Sequence, residues 1–209
     1  MTDDPELRQA VATLSERLAA GDANAFAEWF ARRGGDPPVV IWSPTPEQIG
    51  AAQLRFLLTH WDALRGTRAM PSRGEISPLE LRPALGFVSL IDAVGEGRFD
   101  FCYRLYGTEA AQRVGFDMTG RSLWTFPTEP WLLVYHAAVY RAVMLRGLPL
   151  FTRHKPAMRQ RVLESQRLAL PLADEASLPS RVLAGIVPAE RRYDAAANAP
   201  SRAHAHKPS

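Results

Sequence analysis

The sequence predicts an α+β protein: a five-stranded antiparallel sheet with helices inserted after the second strand, preceded by a helical extension. Three observations carry this prediction. Phe99, Phe101, Tyr103 and Leu105 alternate with Asp100, Cys102, Arg104 and Tyr106, the period of two of a strand with one apolar face. The run Phe87–Val94 precedes it across Gly95-Glu96-Gly97, which reads as a hairpin turn. Three further strand-like runs, Leu148–Lys155, Val162–Leu172 and Arg181–Val187, close the sequence after a stretch of helical patterns.

In chain order, Asp4-Pro5-Glu6 reads as the cap and first turn of a helix, because proline fits there and acids favour the positive end. Leu7, Val11, Leu14 and Leu18 follow at spacings of four, three and four, forming one apolar stripe that Gly21 ends. The stripe is expected to cover the outer face of the sheet or to pair with a second copy of the chain. A short helix carrying Phe26, Trp29 and Phe30 comes next. Residues 34–46 hold two glycines and four prolines and read as a linker, in which Val39–Trp42 can dock as a short extended segment.

Thr45-Pro46-Glu47-Gln48 has the form of a capping box, and the helix it opens should run to about Leu64 with Leu54, Leu57, Leu58, Trp61 and Leu64 on one face. A second box, Ser77-Pro78-Leu79-Glu80, predicts a short helix from Pro78 to near Pro83. After the hairpin, Gly107-Thr108 breaks the strand, Thr108 is placed to cap a helix through Val114, and Gly115 ends it in a left-handed conformation. Pro130 begins a helix of about four turns that ends at Arg146-Gly147. Its expected face is Leu132, His136, Val139 and Val143, with Tyr135 and Tyr140 flanking. The expected organisation is an N-terminal extension and linker over 1–45, one domain over 46–190, and a disordered tail over 191–209 rich in Ala, Asn, Pro, Ser and His.

Composition narrows the function. The chain has 46% hydrophobic and 22% charged residues, ordinary for a soluble globular protein. No apolar run approaches the roughly 20 residues of a membrane helix, and the acidic start MTDDPELRQA is unlike a signal peptide. The single cysteine, Cys102, excludes an internal disulfide and a multi-cysteine zinc site. The expected compartment is the cytoplasm. The net charge of +3 resides in the tail, which holds four bases and one acid; the rest balances at 21 of each. A neutral body is not the footprint of a dedicated nucleic-acid binder. There is no Ser-centred elbow, HExxH, GxGxxG or GxxxxGK[ST], so no enzyme is expected.

Four short motifs stand in order: Trp61 with Leu64-Arg65-Gly66; Pro71-Ser72-Arg73; Tyr103-Arg104-Leu105-Tyr106-Gly107-Thr108; and Gly115 with Thr119-Gly120. Leu170-Pro171-Leu172 completes a late strand. On these motifs the sequence resembles a bacterial single-domain family of the PAS superfamily over about residues 46–190. The resemblance implies a five-stranded antiparallel sheet whose inner face and flanking helices enclose a small cavity, in a module that binds small ligands or cofactors and signals by dimerising or docking to partners.

The candidate pocket residues are Phe101, Tyr103, Leu105, His136, Tyr140 and Glu164, in which a few polar groups face an otherwise apolar space; the plainer alternative is a filled core in which they satisfy one another. His136 stands where some PAS proteins place an axial haem ligand, but one histidine on an apolar face reads more simply as a core residue bonded to a neighbour. No cofactor is required by the sequence. Cys102 points away from the expected inner face, against light-sensing flavin chemistry. Arg68 and Arg73 flank the Pro-Ser turn, either to bind an anion or to tie the connector to backbone carbonyls. Arg141, Arg146, Arg153, Lys155, Arg159, Arg161 and Arg167 oppose one acid, Glu164, as an anion patch or as a solvated face. His204 and His206 lack a third metal ligand.

Together these features predict a non-catalytic sensor or adaptor that binds a small molecule or a partner protein, with homodimerisation through Leu7, Val11, Leu14 and Leu18. The sequence carries no kinase, cyclase or DNA-binding segment, so output is expected to pass to another protein. A ligand-free interaction module and a basic nucleic-acid accessory protein are the alternatives.

Overall fold

A computed structural model describes residues 4–22, 24–95, 97, 99–155 and 162–190. The expected disordered tail lies outside the described residues, as do Arg159, Arg161, His204 and His206. The elements are α1 (Pro5–Ala19), α2 (Ala27–Ala31), β1 (Val39–Trp42), α3 (Ala52–Arg65), β2 (Val88–Val94), β3 (Asp100–Leu105), α4 (Thr108–Val114), α5 (Pro130–Arg146), β4 (Leu150–His154), β5 (Val162–Ala173) and β6 (Pro179–Glu190). The strands form one antiparallel sheet in the order β1-β4-β5-β6-β2-β3.

The sheet therefore has six strands, not five. The additional strand is β1, drawn from the proline-rich stretch: Val39 to Trp42 pair with Arg153 to Leu150 at the edge. Prolines flank it instead of interrupting it, so the ladder loses no donor.

Two apolar layers sandwich the sheet. On one face α3 lays Leu54, Leu57, Leu58 and Trp61 over Val88, Phe151, Leu168, Leu170 and Leu183. On the other face α5 packs on β5 and β6, with α1 and α2 stacked beyond it. Helix α5 thus has protein on both sides, and its buried set includes Leu133, Val134, Ala137 and Ala138 as well as the single face expected. A helix covered on both sides is apolar all round.

This arrangement corrects the reading of the N-terminal stripe. Asp4 caps α1 by accepting from the Glu6 and Leu7 amides, and Val11 and Leu18 are fully buried, with Leu14 close behind. Their partner is α5 of the same chain, and the sheet's outer face is already taken by α3. Leu7, Val11, Leu14 and Leu18 are used within the chain and do not form an exposed surface for a second copy. The indole of Trp42 donates to the Leu18 carbonyl at 3.1 Å, and Arg141 donates to Ser15 Oγ at 2.7 Å, tying α1 to β1 and α5.

Both capping boxes open something shorter than a helix. Thr45 begins only a one-turn 3₁₀ segment, Pro46–Gln48, because buried Ile49 turns extended and breaks it before α3 starts at Ala52. The side chain of Gln166 on β5 accepts from the Ala51 amide at 3.2 Å and holds the break. Ser77-Pro78 starts a run of turns, since Pro83 leaves too little chain for a helical ladder. A further box, Ser72-Arg73-Gly74-Glu75, also closes, with a Glu75 carboxylate oxygen accepting from the Ser72 amide at 2.6 Å. At α4 the cap is Gly107, one residue before the expected Thr108, and Gly115 ends the helix at φ +91° as expected.

Candidate functional site

Between α5 and the inner face of β3, β4, β5 and β6 lies a cavity of about 70 Å³, and its polar lining comes from Tyr103, Tyr106, Thr128, His136, His154, Ser165 and Arg167. Val114, Phe126, Leu132 and Ile186 supply apolar wall. A larger trough of about 650 Å³ runs over the surface between α1 and α2, past Gln9, Arg17, Trp29 and Arg32, and is open to solvent along its length.

The centre of the cavity is Arg167, 5% exposed. Its Nη1 donates to His136 Nδ1. A guanidinium has only donors, so this contact fixes the His136 proton on Nε2 and leaves the ring neutral. Burial, reinforced by the Arg167 charge, holds His136 well below the usual histidine range. The same causes push His154 down to about 3. The His136 and His154 rings stand 5.6 Å apart, and Tyr135 edges against His154 at 5.1 Å. Arg167 also lies over the Tyr140 ring, 5.5 Å from its centroid. The hydroxyls of Tyr103 and Tyr140 are 3.4 Å apart, and burial raises the Tyr103 phenol far above its ordinary value.

Of the six candidate pocket residues Tyr103 and His136 line the cavity, whereas Phe101 and Tyr140 are fully buried core beside it, their rings 5.5 Å apart. Leu105 and Glu164 lie on the other side of the sheet. Leu105 pairs with Leu90 while Tyr103 pairs with Ile91, so β3 carries one extra residue, Arg104, at a bulge. The bulge switches the face on which the chain continues: Leu105 packs with the α3 layer and Tyr106 enters the cavity. Glu164 shares its parity on β5 with Leu168 and Leu170, which face α3; it is partly exposed and lies 3.9 Å from Arg153. Its expected place is taken by Arg167, of opposite parity. Arg167 thereby leaves the basic row in which the sequence placed it. Other described members of that row are dispersed as well: Lys155 meets Asp36 at 3.0 Å, Arg141 reaches Ser15, and Arg146 stacks on Trp42.

Residues 49–187 match the model of a family described as a PAS domain. The chain belongs to the PAS-domain family. No curated protein matches it. Among solved structures it is similar to one titled "Structure of an RNA-binding Light-Oxygen-Voltage Receptor", at 13% identity and a TM-score of 0.39, over 88% of this chain and 53% of that one. The chain thus spans about half the length of that structure. PAS domains are sensory and signalling modules. The match starts after β1, so α1, α2 and β1 are additions to the PAS frame. No described helix is long and apolar enough to cross a membrane.

Within this PAS frame the motif residues hold the sheet and its connectors. Trp61 Nε1 donates to the Pro171 carbonyl at 2.9 Å, and the Pro71 carbonyl accepts from Ala173 at 2.9 Å, so α3 and the Pro71-Ser72 turn both clasp the end of β5. Arg68 forms a two-pronged pair with Glu75, both contacts at 2.9 Å, whereas Arg73 is exposed. Arg104 meets Asp92 at 2.6 Å. Gly107 is needed for space: a Cβ there would overlap the Gly86 carbonyl oxygen. Gly120 donates its amide to the Tyr103 carbonyl at 2.7 Å, and Thr119 Oγ1 accepts from the Tyr106 amide, which closes the wall below the cavity.

Neither haem nor flavin fits the PAS cavity. Its volume corresponds to roughly five waters, far less than a porphyrin or isoalloxazine ring needs. His136 carries its proton on Nε2 and directs its lone pair at Arg167, so it has no free nitrogen for iron. Cys102 alternates with Phe101 and Tyr103 and lies on the other face of β3. Among the described residues no three His, Cys, Asp or Glu side chains cluster as a metal site.

Proposed function

We propose that this PAS protein is a sensor that admits a small molecule to the cavity between α5 and the sheet and passes the occupied state to a partner protein by contact. The observation that supports it is the convergence of Arg167, His136, His154, Tyr103, Tyr106 and Ser165 on one otherwise apolar space, the usual composition of a ligand site. A core with no ligand to recognise gains nothing from these polar side chains there, since each costs free energy to bury. The module performs no chemistry of its own, and its output is a change in what its surface binds.

The test is to purify the full chain natively, record its absorbance spectrum, and identify by mass spectrometry what denaturation releases. The expected result is a colourless small compound in stoichiometric amount. If nothing is released, and a panel of small metabolites produces no thermal stabilisation, the sensor reading fails and a filled-core interaction module takes its place.

A further inference from the structure

Among the described residues, Arg167 is a buried cation without a counter-ion. None of the described carboxylates lies within ion-pairing distance of it, its Nη1 contact is the neutral ring of His136, and its Nε has no hydrogen-bond partner among them. Every other described arginine that pairs with a carboxylate does so near the surface, as Arg17 does with Asp22 and Arg68 with Glu75. A lone buried guanidinium is among the costliest groups a fold can contain, and it is normally paired. With no such partner among the described residues, the site is open to one from outside the chain.

The neighbours of Arg167 narrow what that partner is. His154 Nδ1 is also buried without a partner, and Tyr103, Tyr106 and Ser165 line the same space with hydroxyls. The set is rich in donors and holds no carboxylate, so it is built to receive oxygen lone pairs and not a cation. The volume of about 70 Å³ admits only a few heavy atoms. Phe126, Leu132 and Ile186, the last paired with Arg167 across β5 and β6, line the same space and favour an apolar remainder over a fully hydrated ion. A planar carboxylate also matches the fork of a guanidinium two-pronged, which a spherical anion does not.

Resting on the sensor reading above, we propose that the ligand is a short-chain monocarboxylate, its carboxylate paired with Arg167 and its apolar end against Leu132 and Ile186.

The test is titration calorimetry on the native full chain with acetate, propionate and butyrate, each beside its neutral amide (acetamide, propionamide, butyramide), and with inorganic phosphate, repeated on Arg167→Met. The proposal expects a carboxylate to bind at least tenfold more tightly than its amide, and that preference to vanish in Arg167→Met. It also expects Arg167→Met, without ligand, to melt several degrees higher than the parent, because the change removes an uncompensated buried charge while keeping a side chain of similar length. A lower melting temperature would make Arg167 a structural cation and overturn the proposal. Amides binding as well as acids, or phosphate binding in place of carboxylates, would overturn the ligand class and leave the sensor reading standing. Silence from every compound, with nothing released on denaturation, would remove both.

Discussion

Arg167 on β5 and His136 on α5, 31 residues apart in the chain, meet inside the protein as a charged donor and a neutral acceptor. The contact joins helix to sheet beside the Tyr103–Tyr140 hydroxyl pair, and the Arg167 charge adds to burial in setting how both histidines respond to acid.

Because burial and the Arg167 charge depress His136 and His154, stability should depend on pH in a predictable direction. Above the ordinary histidine value of 6.5 both states are unprotonated there and stability is full. Below it the unfolded chain takes up protons that native His154 refuses until about pH 3, so stability falls with pH. The loss should approach about 1.4 kcal/mol per pH unit for each histidine. Urea unfolding at pH 7 and pH 5 checks it, and His154→Phe should remove about half the slope.

Gly107→Ala should cost about 1–3 kcal/mol, although φ at this position is an ordinary −61°. The penalty is steric: the new methyl group would enter the backbone of Gly86 and Phe87. Thermal denaturation measures it. An unchanged melting temperature would mean that the junction between β3 and α4 can part without cost.

Leu18→Ala should destabilise the chain by about 2–5 kcal/mol and leave its mass by light scattering unchanged. Leu18 is fully buried against the chain's own α5. A dimer-to-monomer shift at constant stability would instead mean that the stripe faces another copy.

Trp61→Phe should cost about 1–3 kcal/mol, because the Pro171 carbonyl loses its donor in a buried setting. The effect should extend to the Pro71–Ala173 contact beside it, so hydrogen exchange at the Ala173 amide should accelerate more than exchange in β2.

Much of the fold is legible where one face of an element is covered. The alternation through Phe101 and Tyr103 gives β3 its inner face, and the spacing of Leu54, Leu57, Leu58 and Trp61 gives α3 its buried side. Legibility is lost where both faces are covered. Strand β5 carries Leu168 and Leu170 on one face and Ala169 on the other, so no alternation marks which way Glu164 and Arg167 point. Misassigning that parity by one residue exchanges the carboxylate for the guanidinium and reverses the chemistry of the site. The bulge at Arg104 lacks the glycine that often announces one, so Leu105 reads as pocket lining and Tyr106 as outward. Strand β1 is obscured by its prolines, which read as a linker although they lie beside the paired residues.

The partnership of α1 with α5 also governs the order of events during synthesis. Helix α1 ends at Ala19 and α5 begins at Pro130, so roughly 110 residues separate the two surfaces that bury each other. At about 5–20 residues per second, Val11, Leu14 and Leu18 leave the ribosome on the order of ten seconds before their cover has been made. During that interval an apolar stripe is exposed on a segment of 15 residues, marginal as an isolated helix in water. The nascent chain therefore has its greatest exposure to aggregation, and its greatest need of a holding chaperone, before the sensory frame has formed. The first helix to be made must wait for most of the chain.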